Sequence, residues 1–239
     1  MKEPIPTSYQ GHRVATAQLM KDIDYLADKR GLGLLTLMEN AGKAVALETV
    51  RFLKDELHRE AGARIAVCCG RGSNGGDGLV AARVLAELGA EVFAFLIPPK
   101  GEGAGEYPEP VRVNKEKAAA AGVKVEIFSP LTILGEILPS VDAVLDAILG
   151  TGSSGKPAGP ARDMIQAITR SKKPVLAVDI PSGLDPDTGH HSGVFVMAAA
   201  TFALGLPKRG LLAAHAKKNV GKLFVLDIGY PADLLKGAA

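Results

Sequence analysis

Apolar residues fall into two patterns that alternate along most of the chain. Short continuous apolar runs are typical of strands buried on both faces of a parallel sheet, and the residues between them follow helical spacing. The first pattern predicts strands at Ile65–Cys69, Val92–Ile97, Lys124–Phe128, Ala143–Asp146, Val175–Asp179, Ala199–Leu204 and Lys222–Asp227. The second predicts intervening helices that begin near Gly76, Glu109, Leu131 and Ala161.

Two further helices precede the first strand. Apolar residues at Leu19, Ile23 and Leu26 mark one of them, and a stripe from Leu34 to Leu57 marks a longer one. The alternation that follows predicts the α/β class, with a Rossmann-like three-layer α/β/α fold, a mostly parallel sheet and two additional N-terminal helices. We expect one domain over residues 1–239, in which residues 1–11 form a loose arm.

The most informative segment is the turn after the first strand, CGRGSNGGDGLV from Cys69 to Val80. Its glycines permit positive φ angles and close approach of a ligand, and a helix N-terminus directly downstream favours an anionic group. The spacing matches a dinucleotide fingerprint only weakly, because no acidic residue follows the second strand and Asn74 and Asp77 stand inside the loop. A tight turn capped by Asp77 is the plain structural alternative.

Polar residues also end other predicted strands. Asp146 ends the fourth strand and leads into a second glycine loop at 150–156, while Asp179 ends the fifth strand and is followed by Ser182. Ligands of open α/β sheets bind beyond the carboxyl ends of the strands, because loops and helix N-termini converge there. We therefore expect these residues to meet the first glycine loop at one edge of the sheet, in an active-site loop or nucleotide cradle.

Composition and charge limit the class of partner. The 239 residues carry a net charge of +2 without a dominant charged run, so neither nucleic acid nor a membrane surface is indicated. Cys68 and Cys69 are neighbours on one strand, point to opposite faces and cannot form an ordinary disulfide. The N-terminal segment lacks the apolar run of a signal peptide. Together these features predict a cytoplasmic protein with reduced thiols.

Two basic features lie outside the glycine loops. His190 and His191 have no third ligand at useful spacing, so an exposed turn is favoured over a transition-metal site. Lys208 lies in a Leu-Pro-Lys-Arg segment and is either a phosphate anchor or a solvated loop charge. The sequence does not decide between these two interpretations.

Five segments together resemble the YjeF N-terminal domain family of NAD(P)H-hydrate epimerases. They are GRGSNGGDGLVAARVL, VLDAILGTG, AVDIPSGLDPDTG, TFALGLPKRGLL and GKLFVLDIGYP, and they occur in the family's order. With LMENAGKAVA near the N-terminus, the resemblance runs from about residue 16 to residue 231. The departures are Ser73 in place of the usual asparagine, Leu184 in place of a common tryptophan, and Ser154 where lysine is frequent, with Lys156 two places on.

The resemblance implies a substrate, hydrated NADH or NADPH, whose two epimers differ at C6 of the nicotinamide ring. Asp179 matches the family's substrate-binding aspartate, and we expect it to give and take the proton that the reaction needs. Two routes stay open, expulsion and return of water at C6 or opening of the ring to an aldehyde and reclosure. The implied substrate-binding residues are Ser73, Asn74, Gly75, Gly76, Asp77, Gly150, Thr151, Gly152, Ser153, Ser154, Gly155, Lys156 and Asp179.

The resemblance also implies a potassium ion and a homodimer. Asn74, Asp146 and Ser182 would hold the ion through oxygen atoms, which suit a hard cation. The two N-terminal helices would join the subunits, since their apolar stripes need a cover. The alternatives from other classes are a non-catalytic nucleotide-binding or scaffold module of the same fold and an ordinary nicotinamide oxidoreductase. The polar strand ends disfavour the first, and the missing ribose-reading acid disfavours the second.

Overall fold

The computed structural model describes residues 4–59, 62–100, 105–129 and 133–236. Near the N-terminus, β1 (Ser8–Tyr9) and β2 (His12–Arg13) pair as a short antiparallel hairpin, so the segment expected to be a loose arm contains ordered backbone. The first three residues of that arm lie outside the described ranges.

Seven further strands form one sheet in which every neighbouring pair is parallel. Each agrees with a predicted strand to within one residue at either end, which confirms the predicted fold class. The strands are β3 (Arg64–Cys69), β4 (Glu91–Leu96), β5 (Lys124–Ile127), β6 (Ala143–Ala147), β7 (Val175–Val178), β8 (Ala200–Leu204) and β9 (Lys222–Leu226). Their spatial order is β5-β4-β3-β6-β7-β8-β9.

Helices cover both faces of the sheet. The two N-terminal helices that the sequence predicts are present, and the crossover helices follow the strands. The helices are α1 (Ala17–Lys29), α2 (Leu34–Leu57), α3 (Ser73–Glu87), α4 (Glu109–Ala120), α5 (Leu134–Ile137), α6 (Gly159–Ser171), α7 (Lys217–Val220) and α8 (Ala232–Lys236). The predicted start near Leu131 lies outside the described residues, and the helix described there, α5, begins at Leu134.

Two apolar cores lie on opposite faces of the sheet. One contains Cys69 with apolar residues of α1 to α4, and the other contains Cys68 with residues of α5 and α6. Both thiols are buried and free, and their places in different cores confirm that they point to opposite faces. Alternate residues of each central strand thus enter different cores, which is why these strands are apolar throughout.

The N-terminal helices extend the first of these cores. The side chain of Thr16 caps α1 by accepting a hydrogen bond from the backbone N–H of Leu19 at 3.1 Å. Helix α2 packs on α3 so closely at Gly42 that a Cβ atom there would lie 2.4 Å from the Cβ of Val80. In the described part of the chain, no helix has the length and apolarity needed to cross a membrane.

Candidate functional site

The main cleft lies where the order of the strands reverses. Strands β3 and β6 are neighbours, but the chain continues from β3 toward one edge of the sheet and from β6 toward the other. The loops that leave their carboxyl ends therefore diverge and open a crevice, the usual ligand position in such sheets. This crevice is a cleft of about 570 Å³, and residues from both predicted glycine loops line it.

The first glycine loop turns directly into α3, which begins at Ser73 rather than near the predicted Gly76. None of the glycines between residues 70 and 78 has a positive φ, so that part of the prediction is wrong. Their role is to leave space. A Cβ atom on Gly75 would lie 1.7 Å from the carbonyl oxygen of Gly70, and one on Gly70 would lie 1.9 Å from the carbonyl oxygen of Ile148. Glycine lets the two loops pack backbone to backbone beneath the cleft.

Asp179 stands immediately after β7 with its carboxyl group facing the cleft. One oxygen pairs with the ammonium of Lys208, and the other accepts hydrogen bonds from Thr151, at 3.0 Å from the backbone nitrogen and 2.6 Å from Oγ1. Its φ of +68° is a strained value for a residue other than glycine. Burial raises the pKa of Asp179, but the charge of Lys208 and the Thr151 donors outweigh it and hold the pKa below its ordinary value.

Lys208 is buried, with 1% of its surface exposed, so its interpretation as a solvated loop charge is wrong. Besides the Asp179 carboxylate, its ammonium donates to the carbonyl oxygen of Leu204 at 2.8 Å. The N-terminal segment holds it there, because the backbone of Ala15 bonds to the residues on both sides of it, Pro207 and Arg209. Lys208 therefore acts as a fixed cation beneath Asp179.

Asp146 and Ser182 form a second polar pair below the cleft. The Ser182 hydroxyl donates to one carboxylate oxygen of Asp146 at 2.6 Å, and its backbone N–H donates to the other at 2.8 Å. The same hydroxyl oxygen accepts from the backbone N–H of Leu149 at 2.9 Å, which ties the second glycine loop to this pair. Complete burial raises the pKa of Asp146 to about 6, against the opposing effect of the Ser182 and Ile148 donors.

Asn74 is buried with both polar atoms of its amide lacking a protein partner, among the described residues. A Cβ atom on Gly150 would lie 3.1 Å from the Asn74 side chain, so the amide packs against the second glycine loop. Leu149, which directly precedes this loop, donates its backbone N–H to Ser182, and Ser182 in turn donates to Asp146. These contacts bring the three predicted metal ligands into one region. A buried amide oxygen without a donor fits a cation ligand, because a buried polar atom is costly when unpaired.

Asp77 lies on α3 and is buried, yet lines the cleft. It is not the predicted cap: the N-cap of α3 is Gly72, and no side chain bonds there. Burial, followed by the negative charges of Asp179 and Asp24, raises the pKa of Asp77 well above its ordinary value, against the opposing charge of Lys208.

The structure brings nine of the thirteen predicted substrate-binding residues to the cleft. Of the four that do not line it, Gly75 and Gly76 pack against Gly70 and Met38. Gly155 and Lys156 are exposed and lie outside the lining of the cleft. The residues that do line it are Ser73, Asn74, Asp77, Gly150, Thr151, Gly152, Ser153, Ser154 and Asp179.

Sequence reasoning missed one wall of the cleft. Tyr230, just after β9, donates a hydrogen bond from its hydroxyl to Asp24 on α1, and both residues line the cleft. Tyr230 belongs to the closing GYP segment, which forms part of the family resemblance, and Asp24 lies among other charged residues of α1. Nothing local distinguishes Asp24, because the pair joins positions that are 206 residues apart.

The predicted exposed turn at His190 and His191 is confirmed. Both residues are exposed, and their rings stack on His215 and Phe195 respectively. In the described ranges, no group of three or more His, Cys, Asp or Glu side chains is placed to hold a metal ion.

Comparison with known proteins gives consistent matches. Residues 34–210 match the family model of the YjeF-related protein N-terminus. The NAD(P)H-hydrate epimerase of Elusimicrobium minutum is 35% identical over 226 residues, which cover 93% of this chain and 98% of the relative. The bifunctional NAD(P)H-hydrate repair enzyme Nnr of Thermofilum pendens is 40% identical over 227 residues, covering 94% of this chain. The match covers only 41% of that bifunctional relative's length. The crystal structure of yeast YNL200c superposes with a TM-score of 0.75 at 28% identity, covering 89% of this chain and 88% of that one.

Proposed function

Because the chain belongs to the YjeF-related N-terminal family, we propose that it is an isomerase that interconverts the R and S epimers of hydrated NADH and NADPH at C6 of the nicotinamide ring. Relatives from Elusimicrobium minutum and Rhodopirellula baltica are named NAD(P)H-hydrate epimerase. These names favour an enzyme over a non-catalytic scaffold. The observation that carries the proposal is the buried Asp179 carboxylate, fixed by Lys208 and Thr151 in the wall of a nucleotide-sized cleft.

Asp179 is the group that exchanges a proton with the substrate. The C6 hydroxyl is attached beside the ring nitrogen, so the substrate is a hemiaminal whose C–O bond weakens when the oxygen is protonated. Lys208 and Thr151 keep Asp179 ionised and hold its orientation, so it is ready to accept a proton and to stabilise positive charge on the ring. A lowered pKa suits the base in this step better than the acid.

The phosphates of the substrate are expected beside the more exposed basic side chains of the cleft. These are Lys21 and Lys100, which are exposed, and Arg71, which is half-buried; in addition, the first turn of α3 has no side-chain cap on its N–H groups. Both features favour anions. The nicotinamide ring would then lie deeper, within reach of Asp179, directly or through one water molecule.

We also propose a potassium ion bound by Asn74, Asp146 and Ser182. Two observations support it: the Asn74 amide lacks a protein partner among the described residues, and Asp146 is a completely buried carboxylate next to a hydroxyl. When bound, the ion would supply a fixed positive charge that offsets Asp146. The residues themselves connect β6, the second glycine loop and the segment after β7, so binding would stiffen the floor of the cleft.

A homodimer through α1 and α2 is the third part of the proposal. These helices expose large apolar side chains that the protein's own core does not cover, among them Tyr25, Leu26, Leu47 and Val50. Tyr25 is 62% exposed and Leu47 is 51% exposed, which favours a protein contact over solvent. We further propose that the protein works in the cytoplasm, where its two buried thiols would remain reduced.

The decisive experiment incubates separated epimers of NADPH-hydrate with the protein and follows their ratio by chromatography against a buffer blank. We expect the ratio to approach equilibrium much faster with the protein. Asp179→Asn should remove this acceleration while leaving the fold intact, because the amide keeps the size and loses the proton acceptor. No acceleration by the parent protein would contradict the proposed function, and near-native turnover by Asp179→Asn would contradict the role of Asp179.

A further inference from the structure

One buried group in the cleft has no role in the chemistry so far, the carboxyl of Asp77. It is 8% exposed and lines the cleft, yet no N–H or O–H group of the described residues donates to it. The other two buried acids differ, since Asp179 and Asp146 each accept hydrogen bonds on both oxygens. A carboxylate with so little exposure and no protein donor is less favourable than one in bulk water, and this difference favours the neutral acid at Asp77.

The neighbours of Asp77 maintain this state. Helix α2 closes over its backbone, because a Cβ atom on Gly42 would lie only 2.8 Å from the Asp77 carbonyl oxygen. The charged groups that face the side chain come from three other elements: Asp24 on α1, Asp179 after β7, and Lys208. Burial and the two acids raise the pKa of Asp77, and Lys208 opposes them without reversing the shift. The adjacent Cys69 thiol is itself buried and adds no positive charge.

We propose that Asp77 is the proton donor to the C6 hydroxyl and that Asp179 is the partner that receives the proton of the returning water. This assignment rests on the proposed epimerase function and deepens it, because it selects expulsion and return of water over opening of the ring. It also gives a reason for the carboxylate inside a loop that faces phosphates, where a negative charge would be unfavourable.

The step balances as follows. The Asp77 carboxyl protonates the C6 oxygen, the C6–O bond breaks with its electron pair on the departing water, and the nitrogen lone pair forms the N=C6 bond. The ring is then a cation. Water attacks C6 from the opposite face, the N=C6 pair returns to nitrogen, and the Asp179 carboxylate takes the proton that the water loses. A proton passing from Asp179 back to Asp77 through water restores the starting state, and the opposite epimer uses the same steps in reverse.

The contrast between the two acids supports this division of work. The pKa values of these chemically identical groups are shifted in opposite directions within one cleft: Lys208 and the two donors of Thr151 lower that of Asp179, and burial raises that of Asp77. Such separation is the arrangement that general acid–base catalysis needs. The ring cation would also form between acidic groups, which stabilise it.

The first test needs no substrate and compares the melting temperatures of Asp77→Asn and Asp179→Asn. The pKa of Asp77 is higher in the folded protein than in the unfolded chain. As the pH rises above the unfolded pKa, the unfolded chain ionises first, and the free energy of unfolding falls. Asp77→Asn removes this loss and should melt a few degrees above the parent at neutral pH, with a smaller gap at about pH 4. Asp179→Asn leaves Lys208 buried without its partner and should melt below the parent at neutral pH.

The second test measures turnover of separated NADPH-hydrate epimers across pH, with Asp22→Asn as the matched control. Asp22 is an exposed residue of α1 whose carboxylate accepts a hydrogen bond from Gln18 at 2.9 Å. Asp77→Asn should lower kcat by about 10²–10⁴-fold, the usual contribution of a positioned acid. The parent's kcat should fall at alkaline pH as Asp77 ionises, and Asp22→Asn should retain both the parent's rate and this profile.

Three results would overturn the assignment. Asp77→Asn could melt well below the parent at neutral pH, which would mean that Asp77 is ionised, or it could retain turnover within a few-fold of the parent. A parent enzyme that accelerates epimerisation but shows no alkaline decline would also contradict it. A parent without any acceleration would refute the proposed function itself, and the melting comparison would still report the protonation state of Asp77.

Discussion

The buried ion pair between Lys208 and Asp179 allows a sharp prediction about stability. Lys208→Met removes the cation and keeps much of the side-chain volume, so it leaves Asp179 buried with only the two Thr151 donors. The carbonyl oxygen of Leu204 also loses the Lys208 donor, although it keeps the backbone N–H of Leu206 at 2.9 Å. Removing one partner of a buried pair costs about 3–5 kcal/mol, because the remaining charge is no longer compensated.

This cost translates into a large shift in melting temperature. For a protein of this size, 1 kcal/mol corresponds to about 2–4 °C, so Lys208→Met should lower Tm by about 6–20 °C at neutral pH. The Thr151 bonds still stabilise the Asp179 carboxylate, which places the expected value toward the lower end. Lys217→Met is the matched control, because Lys217 is exposed on α7 and its removal should change Tm little.

The stability deficit of Lys208→Met should depend on pH. In the parent, the lowered pKa of Asp179 contributes stability that is present above the unfolded value of about 3.9 and is lost as the pH falls through the folded value. Without Lys208, burial dominates and the pKa of Asp179 rises above the unfolded value. The variant should then lose stability as the pH rises from about 4, so its deficit should be largest near neutral pH.

The assay is thermal melting of the parent, Lys208→Met and the double variant Lys208→Met/Asp179→Asn between about pH 4 and pH 8. The double variant has neither buried charge and should recover part of the lost stability. A Tm for Lys208→Met that changes as little as that of Lys217→Met would refute the reasoning. A deficit that is independent of pH would show that packing, and not charge, explains the loss.

Three other outcomes are expected. Gly75→Ala should destabilise the protein by at least the ~1–3 kcal/mol of an overpacked site, because its Cβ would lie 1.7 Å from the Gly70 carbonyl oxygen. Gly135→Ala is the control, because a Cβ there meets no atom within 4 Å. Equal melting temperatures of the two variants would contradict this prediction. Potassium, compared with sodium, should raise the Tm of the parent but not that of Asn74→Ala, and equal shifts would reject the ion site. In sedimentation at micromolar concentration the parent should be a dimer and Leu47→Glu a monomer, with Leu88→Glu, at the exposed residue directly after α3, as the control; a monomeric parent would reject the dimer.

The elements that the sequence predicted correctly depend on local pattern. Each central strand is apolar on both faces because α3 and α6 cover the two sides, and that requirement is visible in Ile65–Cys69 alone. The position of the cleft followed from the same pattern, because parallel strands deliver Asp146 and Asp179 to one edge. The purpose of the glycines was harder to predict, since close packing of Gly70 on Ile148 involves two loops that are distant in the chain.

The contacts that the sequence could not reveal are those between distant segments. Lys208 is buried because Ala15, far away in the chain, bonds to the backbone on both sides of it, and the exposed appearance of the Leu-Pro-Lys-Arg segment gave no sign of this. Asp24 and Tyr230 meet only after the first helix and the last strand have docked on the sheet. The pKa of Asp77 also depends on distant segments, because Asp24 on α1 and Asp179 after β7 both raise it.

The arrangement of charge in the cleft gives the proposed substrate one orientation. The basic side chains that line the cleft, Lys21, Arg71 and Lys100, favour the pyrophosphate, while the buried carboxylate of Asp179 would repel it. A dinucleotide that entered phosphate first would place its charges beside the buried carboxylate of Asp179. The opposite orientation places the nicotinamide ring there, where positive charge on its nitrogen is stabilised rather than opposed. The basic side chains that attract the phosphates and the carboxylate that repels them therefore direct the nicotinamide end of the proposed substrate toward Asp179.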